Sequence, residues 1–169
     1  MDFRPHYPAT LRYLSSLIDI FLAIGGFAIL LLVFTNATLR GTLGFDLAWS
    51  LEVTAFLLLW TTFLGAAAAM ARGAHMRVTE IVETLFSERS KWVLETAINA
   101  IVVALLLTLI VFGISISQHT WAQRTTVLYW PVGLLYASMP AGMTLTLVFH
   151  LFNSWLTLKG EYLNLDDTI

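Results

Sequence analysis

The chain has 169 residues, 58% hydrophobic and 12% charged, with a formal net charge of −2 and no cysteine. Soluble domains carry about 25% charged residues, so these charges are too few to cover a water-facing surface, and lipid is the natural solvent. Near-neutrality leaves no electrostatic footprint for nucleic acid, and the lack of cysteine excludes disulfides, thiolate metal sites and cysteine nucleophiles.

Four apolar stretches are long enough to cross a hydrocarbon core of ~30 Å, which takes ~20 helical residues. They run approximately over 16–36, 49–70, 92–115 and 130–155. Helices are the expected form, because isolated strands would leave backbone groups unpaired in lipid. The first stretch follows Arg4 and Arg12, and its apolar run from Leu17 to Val33 exceeds the ~7–15 residues of a signal-peptide core. No small-residue cleavage pattern follows, so the segment is expected to be retained. Trp49, Trp92, Trp121, Trp130 and Trp155 fall near span ends, where amphipathic rings prefer to sit.

Between the second and third spans, Val78, Ile81, Val82, Leu85 and Phe86 share one helical face, opposite Glu80, Glu83 and Glu88. The pattern predicts a short helix over 78–87, lying on the membrane interface or packed on the chain's own bundle. Arg4, Arg12, Arg72, Arg77, Arg89, Lys91 and Lys159 flank one side of the spans, against Arg40 and Arg124 on the other. The bias toward basic cytoplasmic flanks then places both termini and the central loop in the cytoplasm. The fold class expected is an all-α integral membrane protein, one membrane domain of four transmembrane helices. After Lys159 the tail is polar and acidic (Glu161, Asp166, Asp167) and is expected to be loosely ordered.

Ionisable groups inside spans are costly and therefore informative. Asp19 and Glu95 lie about one turn into the first and third spans, where each can reach interfacial water or pair with a nearby Arg or Lys. Glu52 sits in a stripe with Trp49, Phe56, Trp60 and Phe63 on one face of the second span. Lipid disfavours a carboxylate there, so the stripe asks for a protein neighbour. Gly65 with Ala66 to Ala69, and Gly133, Ala137 and Ala141 at spacings of four, offer small-residue surfaces for close helix approach. Pro131 begins the fourth span, where a missing N–H costs little, and Pro140 is expected to kink it.

No GxSxG, HExxH or phosphate-binding glycine loop is present, so no catalytic residue is assigned. A b-type haem needs two facing imidazoles at one depth. His75 and His150 share a side but sit close to the interface, while His6 and His119 lie elsewhere.

Motifs in the second and fourth spans carry a family resemblance. Trp49-Ser50-Leu51-Glu52, Leu59-Trp60, Phe63-Leu64-Gly65-Ala66-Ala67 and Arg72-Gly73-Ala74-His75-Met76-Arg77-Val78, with Trp130-Pro131, Tyr136, Met139-Pro140 and Gly142, resemble the small membrane (DctQ-type) subunit of tripartite ATP-independent periplasmic (TRAP) transporters. Arg40 also stands where that family often has an Arg. Leu51 replaces the first of a common acidic pair, and Thr79 stands where an Asp is frequent. The resemblance spans roughly residues 40–142.

What it implies is a scaffold subunit in the bacterial inner membrane, not an enzyme. The scaffold would pack against a large multi-spanning transport subunit that carries sodium and solute, fed by a periplasmic solute-binding protein. No cofactor is expected in this chain. Trp49, Glu52, Phe56, Trp60, Gly65, Arg72, His75, Pro131, Tyr136, Pro140 and Gly142 are the partner-contact or structural candidates. Arg72 and Arg77 are candidates for contact with anionic lipid headgroups. Two other readings stay open: a small haem- or quinone-associated electron carrier, and a self-contained oligomeric transporter. The solute, an organic acid or related molecule by family precedent, is not encoded here.

Overall fold

The computed structural model describes residues 3–73 and 88–159. The helix expected over 78–87, His75, Arg77 and the acidic tail lie outside the described residues. After a 3-10 turn at Arg4–His6, five α-helices follow in chain order: α1 Ala9–Leu43, α2 Ala48–Ala71, α3 Glu88–His119, α4 Val132–Tyr136 and α5 Ser138–Lys159. Among the described residues there is no strand, and a lone bridge pairs Arg124 with Pro131. Four helical segments are long and apolar enough to cross a membrane: Ala9–Leu43, Ala48–Ala71, Thr96–His119 and Val132–Thr157.

The first helix is longer than its apolar core at both ends. Pro8 precedes its first turn, where no intrahelical N–H bond is required. Beyond Asn36 the helix continues, and its threonine hydroxyls are satisfied by turning back onto it. Thr38 Oγ1 donates to the Phe34 carbonyl (2.8 Å) and Thr42 Oγ1 to that of Thr38 (2.7 Å). Gly44, with φ of 65°, ends it by donating its N–H to the Leu39 carbonyl, a left-handed cap that suits glycine.

The fourth span is interrupted at Ala137, one turn before Pro140. Pro140 has no N–H to offer the Tyr136 carbonyl, and its ring crowds that carbonyl, so the disturbance appears upstream of the proline itself. In the same turn Ser138 Oγ donates to the Leu135 carbonyl (2.6 Å), and Trp60 Nε1 of α2 donates to that of Leu134 (3.3 Å). The break is thus tied into its neighbour.

The helices form a row rather than a closed bundle. α2 packs on α1 and on α4–α5, and α3 packs on α4–α5, whereas among the described residues α1 and α3 share no extensive packing. Burial follows this order: 22% and 33% of the inner spans' apolar windows are buried, against 11% and 17% of the outer ones. Every seam of the row holds a glycine. A Cβ on Gly25 of α1 would stand 2.7 Å from Thr61 Cγ2, one on Gly142 of α5 2.6 Å from the Phe63 Cβ and carbonyl oxygen, and one on Gly113 of α3 2.9 Å from Pro140 Cδ. Gly133 of α4 lies equally tight against Ser117 and Trp121. Between apolar helices in lipid, close van der Waals approach is the main attraction, and only glycine permits it at these points.

Candidate functional site

The seam between α2 and α4–α5 gathers most of the residues singled out from the sequence. The stripe on α2 meets the chain's own fourth span and the loop before it. Phe56 packs on Trp60 (ring centroids 5.9 Å apart) and edge-on against Trp130 (5.5 Å). Trp60 holds the break in the fourth span, and Phe63 receives Gly142. The protein neighbour that the stripe requires is therefore internal. Trp49 is exposed beside it, and Tyr136 is partly exposed on α4.

Glu52 closes one end of this seam. Its Oε1 accepts from Val127 N (2.8 Å) and Thr126 Oγ1 (2.9 Å), and its Oε2 from Leu128 N (2.8 Å). An ionised carboxylate makes such bonds short and about twice as strong as neutral ones. The loop around it is a small hairpin. Thr125 N donates to the Trp130 carbonyl (2.9 Å), Trp130 N to Thr125 Oγ1 (3.0 Å), and Val132 N to the Gln123 carbonyl (3.0 Å). Pro131 stands at the start of α4, where no backbone donor is missed. Tyr129 holds a left-handed φ of 56° at the hairpin tip, a conformation costly for an aromatic residue. On the same side of the molecule, Asn36 Oδ1 accepts from Leu47 N (2.8 Å) and ties the α1–α2 connection. Ser117 Oγ donates to the Gly133 carbonyl (2.7 Å).

The opposite end is closed by groups the sequence did not flag. Tyr7, from the segment before α1, lies buried under the ends of α2 and α5. Its hydroxyl donates to Asn153 Oδ1 (2.6 Å), with the Ala71 carbonyl 3.3 Å away, and Asn153 Nδ2 donates to the Met70 carbonyl (2.8 Å). The Tyr7 ring stacks on Phe149 and meets Phe152 edge-on. Ala67, Ala68 and Ala71 are buried in the same cluster, so this part of the small-residue run lines the core, while Gly65 faces open space. A polar Asn153 within an apolar run was a usable signal. Nothing in the neighbourhood of Tyr7 announced its role.

Asp19 pairs as expected for a carboxylate near a span end. Its Oδ1 accepts from Arg72 Nη2 (2.6 Å) and its Oδ2 from Arg4 Nη1 (3.1 Å). Arg72 thereby joins α2 to α1. His150 is buried on α5, and its suggested haem partner His75 lies outside the described residues, as does the side chain of Glu95. Among the described residues no group of three His, Asp or Glu side chains is placed to hold a metal ion.

The site, built up in this way, binds its own chain: one hydrogen-bonded clasp at each end of a glycine-seated helix pair. A family model described as the DctQ component of tripartite ATP-independent periplasmic transporters matches residues 29–160. No curated protein matches the chain.

Proposed function

The chain belongs to the DctQ component family of TRAP transporters, and from that premise we propose that it is a fixed membrane scaffold of a sodium-coupled importer of organic acids or related solutes. It stands in the bacterial inner membrane with both termini in the cytoplasm. It packs against a large multi-spanning transport subunit, which works with a periplasmic solute-binding protein. The observation that supports this reading is the doubly clasped α2–α5 seam. A helix pair closed by Glu52 at one end and by Tyr7 and Asn153 at the other, with Gly142 seated on Phe63 between them, resists sliding and hinging. A rigid row of helices suits the stationary part of a transporter, because the moving part needs a surface that holds its shape. The row also leaves the flanks of α1 and α3 rich in exposed apolar side chains, which lipid or a large membrane partner covers.

The test is affinity purification of the full chain from its native membrane in mild detergent, together with solute uptake by a deletion strain. A stoichiometric polytopic partner and loss of uptake are the expected results. A chain that purified alone and transported solute by itself in liposomes, or normal uptake without it, would falsify the scaffold role.

A further inference from the structure

Where α1 begins, Arg4, Pro5, Arg12 and Ser16 line an open depression of about 280 Å³. We propose that this depression binds the phosphate of an anionic phospholipid, with Arg12 and Ser16 as its principal ligands, Arg4 at its wall, and an acyl chain laid along α1. The proposal rests on the membrane-spanning reading of α1 but not on any partner subunit.

The charge arrangement leaves Arg12 seeking an anion. Asp19 does not supply it, because both its oxygens are engaged, one by Arg4 and the other by Arg72. Among the described residues no carboxylate pairs with Arg12, and its guanidinium is exposed. Arg4, although paired with Asp19, lines the same depression, and a phosphate there would meet positive charge from two residues. A guanidinium fork with a hydroxyl beside it also fits phosphate oxygens well.

What selects a lipid over free phosphate is the surface that continues from the site. Arg12 and Ser16 head a single face of α1, followed by Ile20, Ala23, Phe27 and Leu30 at helical spacing, all exposed. A headgroup seated at Arg12 and Ser16 places its acyl chain directly against these side chains. Arg72, the headgroup candidate singled out in the sequence, is bonded to Asp19 at 2.6 Å, so Arg12 is the residue here with no carboxylate among the described residues.

The test is native mass spectrometry of the purified full chain, presented with equal amounts of phosphatidylglycerol and phosphatidylcholine in a neutral detergent. The wild type should retain phosphatidylglycerol in preference. Arg12→Gln should lower that preference about fivefold, the effect of one basic residue at a lipid surface, and Ser16→Ala should lower it less. Arg12 makes no side-chain bond to the described residues, so its variant should fold, as unchanged helicity would verify. Arg124→Gln, at the other end of the spans, should retain lipid as the wild type does. An unchanged ratio in Arg12→Gln, or an equal loss in Arg124→Gln, overturns the site. Complete displacement of the lipid by millimolar inorganic phosphate overturns the lipid in favour of a free anion. All readings come from the chain alone, so a missing transport partner leaves them intact.

Discussion

The seam between α2 and α5 is shut by ionic chemistry at one end and neutral chemistry at the other. Beside the hairpin before α4, Glu52 offers both carboxylate oxygens to two backbone N–H groups and a hydroxyl. At the other end Tyr7 and Asn153 are buried against Phe149 and satisfy one another and the last carbonyls of α2. The difference follows from water. A carboxylate is tolerated where solvent still reaches it, whereas full burial makes an unpaired charge far more costly than an unpaired amide. A neutral knot is the stable choice in the core, and a charged one gives stronger bonds to a loop that would otherwise fray.

The comparison breaks hardest between the two clasps. Gly142→Val places a methyl-bearing carbon where the Phe63 backbone already stands 2.6 Å away. We expect a loss of about 3 kcal/mol, at the upper end of overpacking costs, seen as a large fall in unfolding temperature in detergent. Gly26→Val, on α1 with nothing near its Cβ position, should change little. Comparable losses in the two variants would refute the glycine-seated seam. Next in size is Asn153→Ala, which removes the donor to the Met70 carbonyl and the shorter of the Tyr7 hydroxyl's bonds in the core. About 1–3 kcal/mol should be lost, and about 1 kcal/mol in Tyr7→Phe.

Glu52→Gln sharpens the contrast at the other end. One of the three loop donors then faces an amide NH2 rather than an oxygen. Hydrogen exchange at Val127 and Leu128 should accelerate several-fold while the amides near Asn153 keep their protection. Faster exchange at both ends would mean that the clasps are not separate. The smallest effect is expected from Asp19→Asn. Its arginine partners are 35% and 47% exposed, and such solvent-reached pairs contribute about 0–1 kcal/mol. A thermal shift as large as that of Asn153→Ala would show that the Asp19 pair belongs to the core.

Much of the fold was legible in sequence because lipid imposes it. Spans of the required length and apolarity can only be helices, and the structure has four such segments. The stripe from Trp49 to Phe63 was legible for the same periodic reason. Its target was not, because a one-dimensional pattern states which side chains share a face but not what meets that face. The partner of Glu52 is largely backbone, the N–H groups of Val127 and Leu128, and backbone donors leave no trace in residue identity. Pro140 predicted a bend, but the interruption at Ala137 depends on the crowded Tyr136 carbonyl.

By itself, then, the sequence determined the solvent, the helical class, the four apolar spans and the family motifs, all properties set by composition, period and local spacing. Only the tertiary structure decided that the helices lie in a row with α2 and α5 inside, that Tyr7 returns beneath Asn153, and that Arg72 belongs to Asp19. Those outcomes depend on which helix faces fit within contact distance. That fit is fixed at Gly25, Gly113, Gly133 and Gly142 by the absence of a side chain, which is a property of two surfaces and not of either one.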